Sequence, residues 1–288
     1  MKHGIYYAYW ADEWFADYCY YIDKVARLGF DVLEIGCSSI PDYSDEQIRK
    51  LKKHADANNI TLSGGYGPTP NHNIGSKNPQ IRQVAFEWYV KLFEKMAHLN
   101  MHFLGGELYY CWPINFNELD SKEEEQKRSI ESTQKLADLA APYEITLGME
   151  AISRYDSYLI NTAEECIQFV QTVDKANVKV MLDTFHMNIE EDDIGGAIRS
   201  AGSLLGHLHT CEANRKVPGK GHIPWREIGI ALKDIKYDGM VVMEPFVKMS
   251  GTVGKDIKVW RDVSCGADET ALDKSAEEAL RFQRYMLD

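Results

Sequence analysis

Glu150, Asp183, His209 and Glu244 lie at or near the ends of short apolar runs: TLGME, VKVMLD, GHLHT and MVVME. They stand 33, 26 and 35 residues apart, each interval about one strand and one helix long. Four successive parallel strands of that spacing aim three carboxylates and one imidazole at a common point. Three carboxylates so close repel one another strongly. A divalent cation removes the conflict, and three oxygen donors with one nitrogen suit Mn²⁺, Mg²⁺ or Co²⁺ better than structural zinc. Each residue alone has a plainer reading. Asp183 fits a helix N-cap, His209 a hydrogen-bonded interior histidine, and a glutamate after a strand a surface acid. Their coincidence at equivalent points of four successive units is what indicates a site. His207 is read as facing away from His209.

Other polar groups follow the same strand ends. His186 lies three residues after Asp183, Arg215 six after His209, and Arg154 and Asp156 shortly after Glu150. A fixed guanidinium at Arg215 suits a carboxylate or an oxygen-rich ligand; a loop salt bridge is the alternative. Tyr6, Trp112 and Phe246 also fall near strand ends, either as core packing or as a wall for the apolar face of a sugar.

These residues need a scaffold, and the chain supplies a regular one. Strand candidates are Gly4 to Tyr9, Val32 to Gly36, Thr61 to Gly65, His102 to Leu108, Thr146 to Glu150, Val178 to Asp183, Gly206 to Thr210 and Met240 to Glu244. Helical patterns alternate with them: Ala16 to Leu28, Asp45 to Asn58, Pro79 to Leu99, Lys122 to Pro142, Ala163 to Thr172, Ile194 to Ala201, Trp225 to Ile235 and Ala271 to Leu287. Strands rich in Val, Ile, Leu and Met suit burial on both faces, and strict alternation favours a parallel sheet. Eight units in 288 residues match an α/β (β/α)8 TIM barrel. A doubly wound sheet usually carries a glycine-rich phosphate turn after its first strand. Here that turn is YWADEW, without glycine, and no cofactor-binding nucleotide motif is expected. No linker or low-complexity stretch divides the chain, so residues 1–288 are read as one domain with its metal site on the C-terminal face.

Composition narrows the partners. The formal charge is −12, with 32 basic and 44 acidic residues. That balance opposes a nucleic-acid partner, whose affinity rests on phosphate neutralisation. No apolar run reaches the length of a membrane span, and the N-terminal residues lack the apolar core of a signal peptide. The six cysteines form no C-x-x-C pair, which suggests free thiols in a reducing cytoplasm.

The chain resembles the ketose 3-epimerases, the D-tagatose and D-psicose (D-allulose) 3-epimerase group of xylose-isomerase-like barrels. The resemblance covers essentially the full length. It is carried by MKHGIYYAYW at 1–10, VKVMLDTFHMNIEE at 178–191, GHLHT at 206–210, IPWREIG at 223–229, VVMEPF at 241–246 and IKVWRD at 257–262. It implies one divalent ion, Mn²⁺ first, with Co²⁺ or Mg²⁺ as alternatives, held by Glu150, Asp183, His209 and Glu244. It further implies that Glu150 and Glu244 exchange the C3 proton and that His186 and Arg215 contact substrate oxygens. A free ketose as substrate and a homodimer or homotetramer follow from the same resemblance. Some positions depart from the family pattern. Asp156 stands where a substrate-contacting Glu is usual, Glu107 replaces a small residue, Cys211 a Gly and His222 an Arg.

The residues suit that chemistry independently. A cation polarising a C2 carbonyl stabilises an enediolate, and carboxylates on two strands can serve opposite faces of C3 as base and acid. Aldose–ketose isomerisation would use the same groups. A barrel endonuclease for DNA repair would need further histidines and a basic face. A catalytically silent sugar-binding barrel would need no proton exchange.

Overall fold

Eight apolar runs form the strands of a closed parallel barrel in the computed structural model, which describes residues 1–117 and 119–288. They are β1 (Lys2–Tyr6), β2 (Val32–Gly36), β3 (Thr61–Gly65), β4 (Phe103–Gly106), β5 (Thr146–Glu150), β6 (Val178–Asp183), β7 (Leu205–Thr210) and β8 (Met240–Met243). Each pairs with the next in sequence, and β8 returns to β1 with Lys2 opposite Met240 and Ile5 opposite Met243. The strand order therefore equals the chain order, as in a (β/α)8 barrel.

The surrounding helices are α1 (Tyr18–Leu28), α2 (Asp45–Ala57), α3 (Pro79–Leu99), α4 (Lys122–Ala140), α5 (Ala163–Val173), α6 (Thr184–Glu190), α7 (Ile194–Ala201), α8 (Trp225–Asp234), α9 (Gly251–Asp256) and α10 (Glu269–Leu287). Side-chain caps fix several starts. Asp17 accepts from the Cys19 N–H, Ser44 and Gln47 form a capping box, and Asp268 accepts from the Ala271 N–H. Gly29, at φ 87°, closes α1.

The structure departs from the sequence reading at several ends. β1 stops at Tyr6, because Tyr7–Tyr9 turn into a 3₁₀ segment. β4 stops at Gly106, whose φ of 126° is open only to glycine; a Cβ there would lie 2.3 Å from the Tyr66 carbonyl oxygen. The bend sends Glu107 out of the strand. β8 stops at Met243, although the Glu244 N–H still donates to the Thr210 carbonyl. The short helices α6 and α9 have no counterpart in the sequence reading, since neither is long enough to show helical periodicity.

Inside the barrel, Gly105 and Gly148 sit opposite each other on β4 and β5. A Cβ on Gly148 would approach the Phe103 ring to 2.5 Å, and one on Gly105 the Met181 sulfur to 2.4 Å. The two glycines make room for Phe103 and Met181 to fill the interior. The His207 ring then stacks on Phe103 at 4.3 Å. This layer is the floor of the site above.

Candidate active site

The β5, β6, β7 and β8 ends bring Glu150, Asp183, His209 and Glu244 together. His209 Nδ1 is 3.6 Å from Glu150 Oε1 and 3.5 Å from Glu244 Oε1, and it is buried without a hydrogen-bond partner among the described residues. Asp183, His209 and Glu244 can each offer one donor atom within 4.8 Å of the others, and Glu150, Asp183 and His186 form a second such trio. Asp183 caps a helix and faces the cluster at the same time. Its Oδ1 caps α6 by accepting from the Phe185 N–H at 2.9 Å, while Oδ2 lies 3.1 Å from an Arg215 nitrogen.

Charge is crowded here. Burial pushes the Glu150 carboxyl up to about 8; His209 opposes the shift, and Glu244 and Asp183 reinforce it. Burial also raises Asp183 against the pull of Arg215. Glu244 is buried too, yet His209 and Arg215 hold it below its usual range. Burial disfavours a charged His209, but Glu34 and Glu244 outweigh it and keep the proton bound well above the ordinary range. Three crowded acids and one imidazole nitrogen without a partner could hold a divalent cation, which would relieve the repulsion and replace the proton on His209 Nδ1.

Glu34 is the residue that the sequence reading missed. It lies on β2 with 1% exposure. Its Oε1 is 2.6 Å from His209 Nε2, its Oε2 is 3.1 Å from His207 Nε2, and Ser63 donates to it at 2.8 Å. A carboxylate on Nε2 fixes the ring so that Nδ1 faces the acids, the arrangement by which outer carboxylates orient metal-binding histidines. A detectable signal exists in VLEIG, an acid in the middle of a fully buried strand. His207 does not face away from His209: residues two apart on a strand share a face, and both rings point into the barrel with centroids 5.1 Å apart.

The remaining candidates surround one cavity of about 580 Å³, which Tyr6, Trp112, Asp156, His186, Arg215 and Phe246 all line together with Glu150, His209 and Glu244. That volume suits a small ligand. His186 Nδ1 accepts from the Ser153 N–H at 3.2 Å. Burial, aided by Arg215 and His209, holds the ring neutral. The proton therefore sits on Nε2, a donor 3.8 Å from Asp183 Oδ2. Arg215 bridges Asp183 and Glu244, 3.1 Å from each, and stacks over Phe185 at 3.7 Å. Its φ of 60° is unusual for a non-glycine residue, and its carbonyl is held by the Phe246 N–H. Tyr6 and Phe246 meet edge to face at 6.2 Å, so these aromatics pack together and wall the cavity as well.

Asp156 reaches the cavity rim but not Arg154, which pairs with Glu190. Asp156 instead forms an ion pair with Lys258, joining the β5 loop to the segment after α9 across the mouth. Of the other departures from the family pattern, Glu107 lines the cavity, Cys211 is buried with Sγ 3.7 Å from Arg215, and His222 is exposed and apart from the cavity lining.

Closed barrel, C-terminal-face cavity and acid–histidine cluster define a class: the chain belongs to the xylose isomerase-like TIM barrel family, whose model matches residues 22–280. Within that class the chain is 57% identical to a D-psicose 3-epimerase of Ruminiclostridium cellulolyticum, over 100% of this chain and 98% of the relative. It is 48% identical to a D-psicose 3-epimerase of Agrobacterium fabrum, over 100% and 99% of the two chains. A crystal structure of D-psicose 3-epimerase with D-tagatose from Clostridium cellulolyticum superposes with a TM-score of 0.99, at 57% identity and full coverage of both chains.

Proposed function

We propose that the protein is a metal-dependent ketose 3-epimerase that interconverts the C3 epimers of free ketohexoses, such as D-fructose and D-psicose or D-tagatose and D-sorbose. The observation that carries this reading is the pair of carboxylates, Glu150 at the end of β5 and Glu244 just beyond β8, each within 3.6 Å of His209 Nδ1 and coming from strands three places apart in the closed barrel. Residues 1–288 act as one domain.

Glu150, Asp183, His209 and Glu244 would hold the cation, with Mn²⁺ first and Co²⁺ or Mg²⁺ as alternatives. When bound, it would withdraw charge from a ketone oxygen and so acidify the neighbouring C–H bond. The protein does the rest. One glutamate takes the C3 proton as the C–H bond breaks, and the other delivers a proton to the opposite face of C3. The two carboxyls end with exchanged protonation and reset through solvent, so deuterium enters C3 in D₂O. The neutral His186 donates from Nε2 to a substrate oxygen. Arg215 holds Asp183 and Glu244 in place and offers its guanidinium to the sugar. Tyr6, Trp112 and Phe246 exclude water from the reacting carbon, and Asp156 meets the sugar at the rim. A reducing cytoplasm suits the six free thiols. A homodimer or homotetramer is consistent with Phe15, Tyr155 and Trp260, which expose more than two thirds of their surface.

The test is product analysis in D₂O with a ketohexose panel and Mn²⁺ or Co²⁺ restored to metal-free protein. Fructose is expected to yield psicose with deuterium at C3. Glucose and mannose as products would instead mean aldose–ketose isomerisation, and binding without deuterium uptake would mean a silent sugar-binding barrel.

Glu34 provides a second check on the metal. Glu34→Gln should weaken divalent-cation binding about 10–100-fold, the usual effect of losing such an outer partner. Competitive chelation measures it directly, and an unchanged affinity would separate Glu34 from the metal.

A further inference from the structure

Glu107 is a buried acid that the proposed chemistry leaves unused. It follows the Gly106 bend at the end of β4, lines the cavity and is 1% exposed. Its Oε1 accepts from the Ser157 hydroxyl. Its Oε2 is buried and has no hydrogen-bond partner among the described residues. Native structures rarely leave such an atom unsatisfied, because each costs about 1–3 kcal/mol. The Glu107 backbone carbonyl is already engaged by the Tyr110 N–H, so the free capacity of this residue lies in one carboxyl oxygen.

We propose that Glu107 is a further substrate-binding residue, whose Oε2 takes a sugar hydroxyl away from the reacting carbons. The ligand class is an uncharged polyol oxygen. A phosphate beside Glu107 would also meet the charges of Glu150 and Asp156, which line the same cavity and act on Glu107.

Electrostatics agree with the geometry. Burial, with the charges of Glu150 and Asp156, pushes the Glu107 carboxyl well above the carboxylate range, against the Ser157 hydrogen bond. A neutral carboxyl whose Oε1 accepts from Ser157 carries its proton on Oε2 and presents an O–H donor. An uncharged carboxyl also avoids adding a further negative charge beside Glu150 and Asp156.

This inference rests on the ketose reading, and the experiment keeps the two apart by measuring binding as well as turnover. Metal-loaded wild type, Glu107→Ala and Glu107→Gln are titrated calorimetrically with D-fructose and with its 4-, 5- and 6-deoxy analogues. Glu107→Ala should weaken fructose binding about ten- to a hundredfold, the range set by leaving one buried polar group unpaired. For the deoxy sugar that lacks the partner hydroxyl, wild type and Glu107→Ala should bind equally. Glu107→Gln should bind fructose nearly as wild type does, because its amide nitrogen donates and its oxygen accepts from Ser157. Melting temperatures are recorded alongside, since a purely structural role lowers stability and affects every sugar alike. Equal losses on all four sugars, or a Glu107→Gln variant as weak as Glu107→Ala, would overturn the proposal. If wild type binds the sugars with this pattern yet yields no psicose, the epimerase reading falls and the Glu107 assignment stands. If wild type binds none of them, the Glu107 assignment falls.

Discussion

Asp183→Asn is expected to abolish turnover and to weaken divalent-cation binding by more than about a hundredfold, beyond the effect of losing an outer partner. The substitution is well suited to the question because Asp183 has two separable jobs. Its Oδ1 caps α6 through the Phe185 N–H, and its Oδ2 faces Arg215 and the acids. Asparagine keeps a carbonyl oxygen for the cap, so α6 and the fold should survive. It cannot supply the negative charge that a cation site needs. His209→Ala should also remove metal and activity, but with an added cost to the fold. Glu34 would lose its 2.6 Å partner while remaining 1% exposed, and breaking a buried charge pair costs about 3–5 kcal/mol. The two variants therefore differ in stability and agree in metal loss. Metal content after dialysis, melting temperature and turnover over a Mn²⁺ series measure all three effects. Wild-type turnover by Asp183→Asn after thorough chelation would sink the metal hypothesis.

How much of this was legible in the residue order differs between layers of the structure. The barrel was, because a parallel strand buried on both faces reads as an unbroken apolar run, and each helix carries its own caps and periodicity. Strand ends were less legible. β4 ends at Gly106 because Tyr66 crowds that position, a contact between distant segments that no local pattern encodes. The convergence of Glu150, Asp183, His209 and Glu244 followed from spacing alone, since successive units of a barrel present equivalent positions to one mouth. Their supporting partners did not follow. Glu34 meets His209 from 175 positions away, and only its burial inside VLEIG hinted at a polar partner. His207 was misjudged, although the two-residue period of a strand places it beside His209. The Lys258 partner of Asp156 comes from a loop with no regular pattern. The chemistry-bearing groups are readable because the scaffold repeats, and the groups that orient them arise from packing specific to this barrel.

Inversion at C3 makes a sharper demand on the bases than loss of activity does. A proton must leave one face of the carbon and arrive on the other, so one carboxylate cannot do both. Glu150 on β5 and Glu244 just beyond β8 approach the cavity from strands three places apart. Glu150→Gln and Glu244→Gln each retain a neutral oxygen that can still face a cation, while removing one proton acceptor. Net epimerisation should fall about 10²–10⁴-fold in either variant, the usual contribution of a positioned acid or base. Proton exchange should not vanish with it. The remaining carboxylate still serves the epimer whose C3–H faces it. One metallated variant should therefore wash solvent deuterium into C3 of fructose without forming psicose, and the other should do the same for psicose without forming fructose. Proton NMR of the C3 signal in D₂O reads both outcomes, with metal content measured on the same samples. Wild-type epimerisation by either fully metallated variant would remove that glutamate from the mechanism. Exchange of the same epimer by both variants would place the two carboxylates on one face of the sugar, and inversion would then need a different acid.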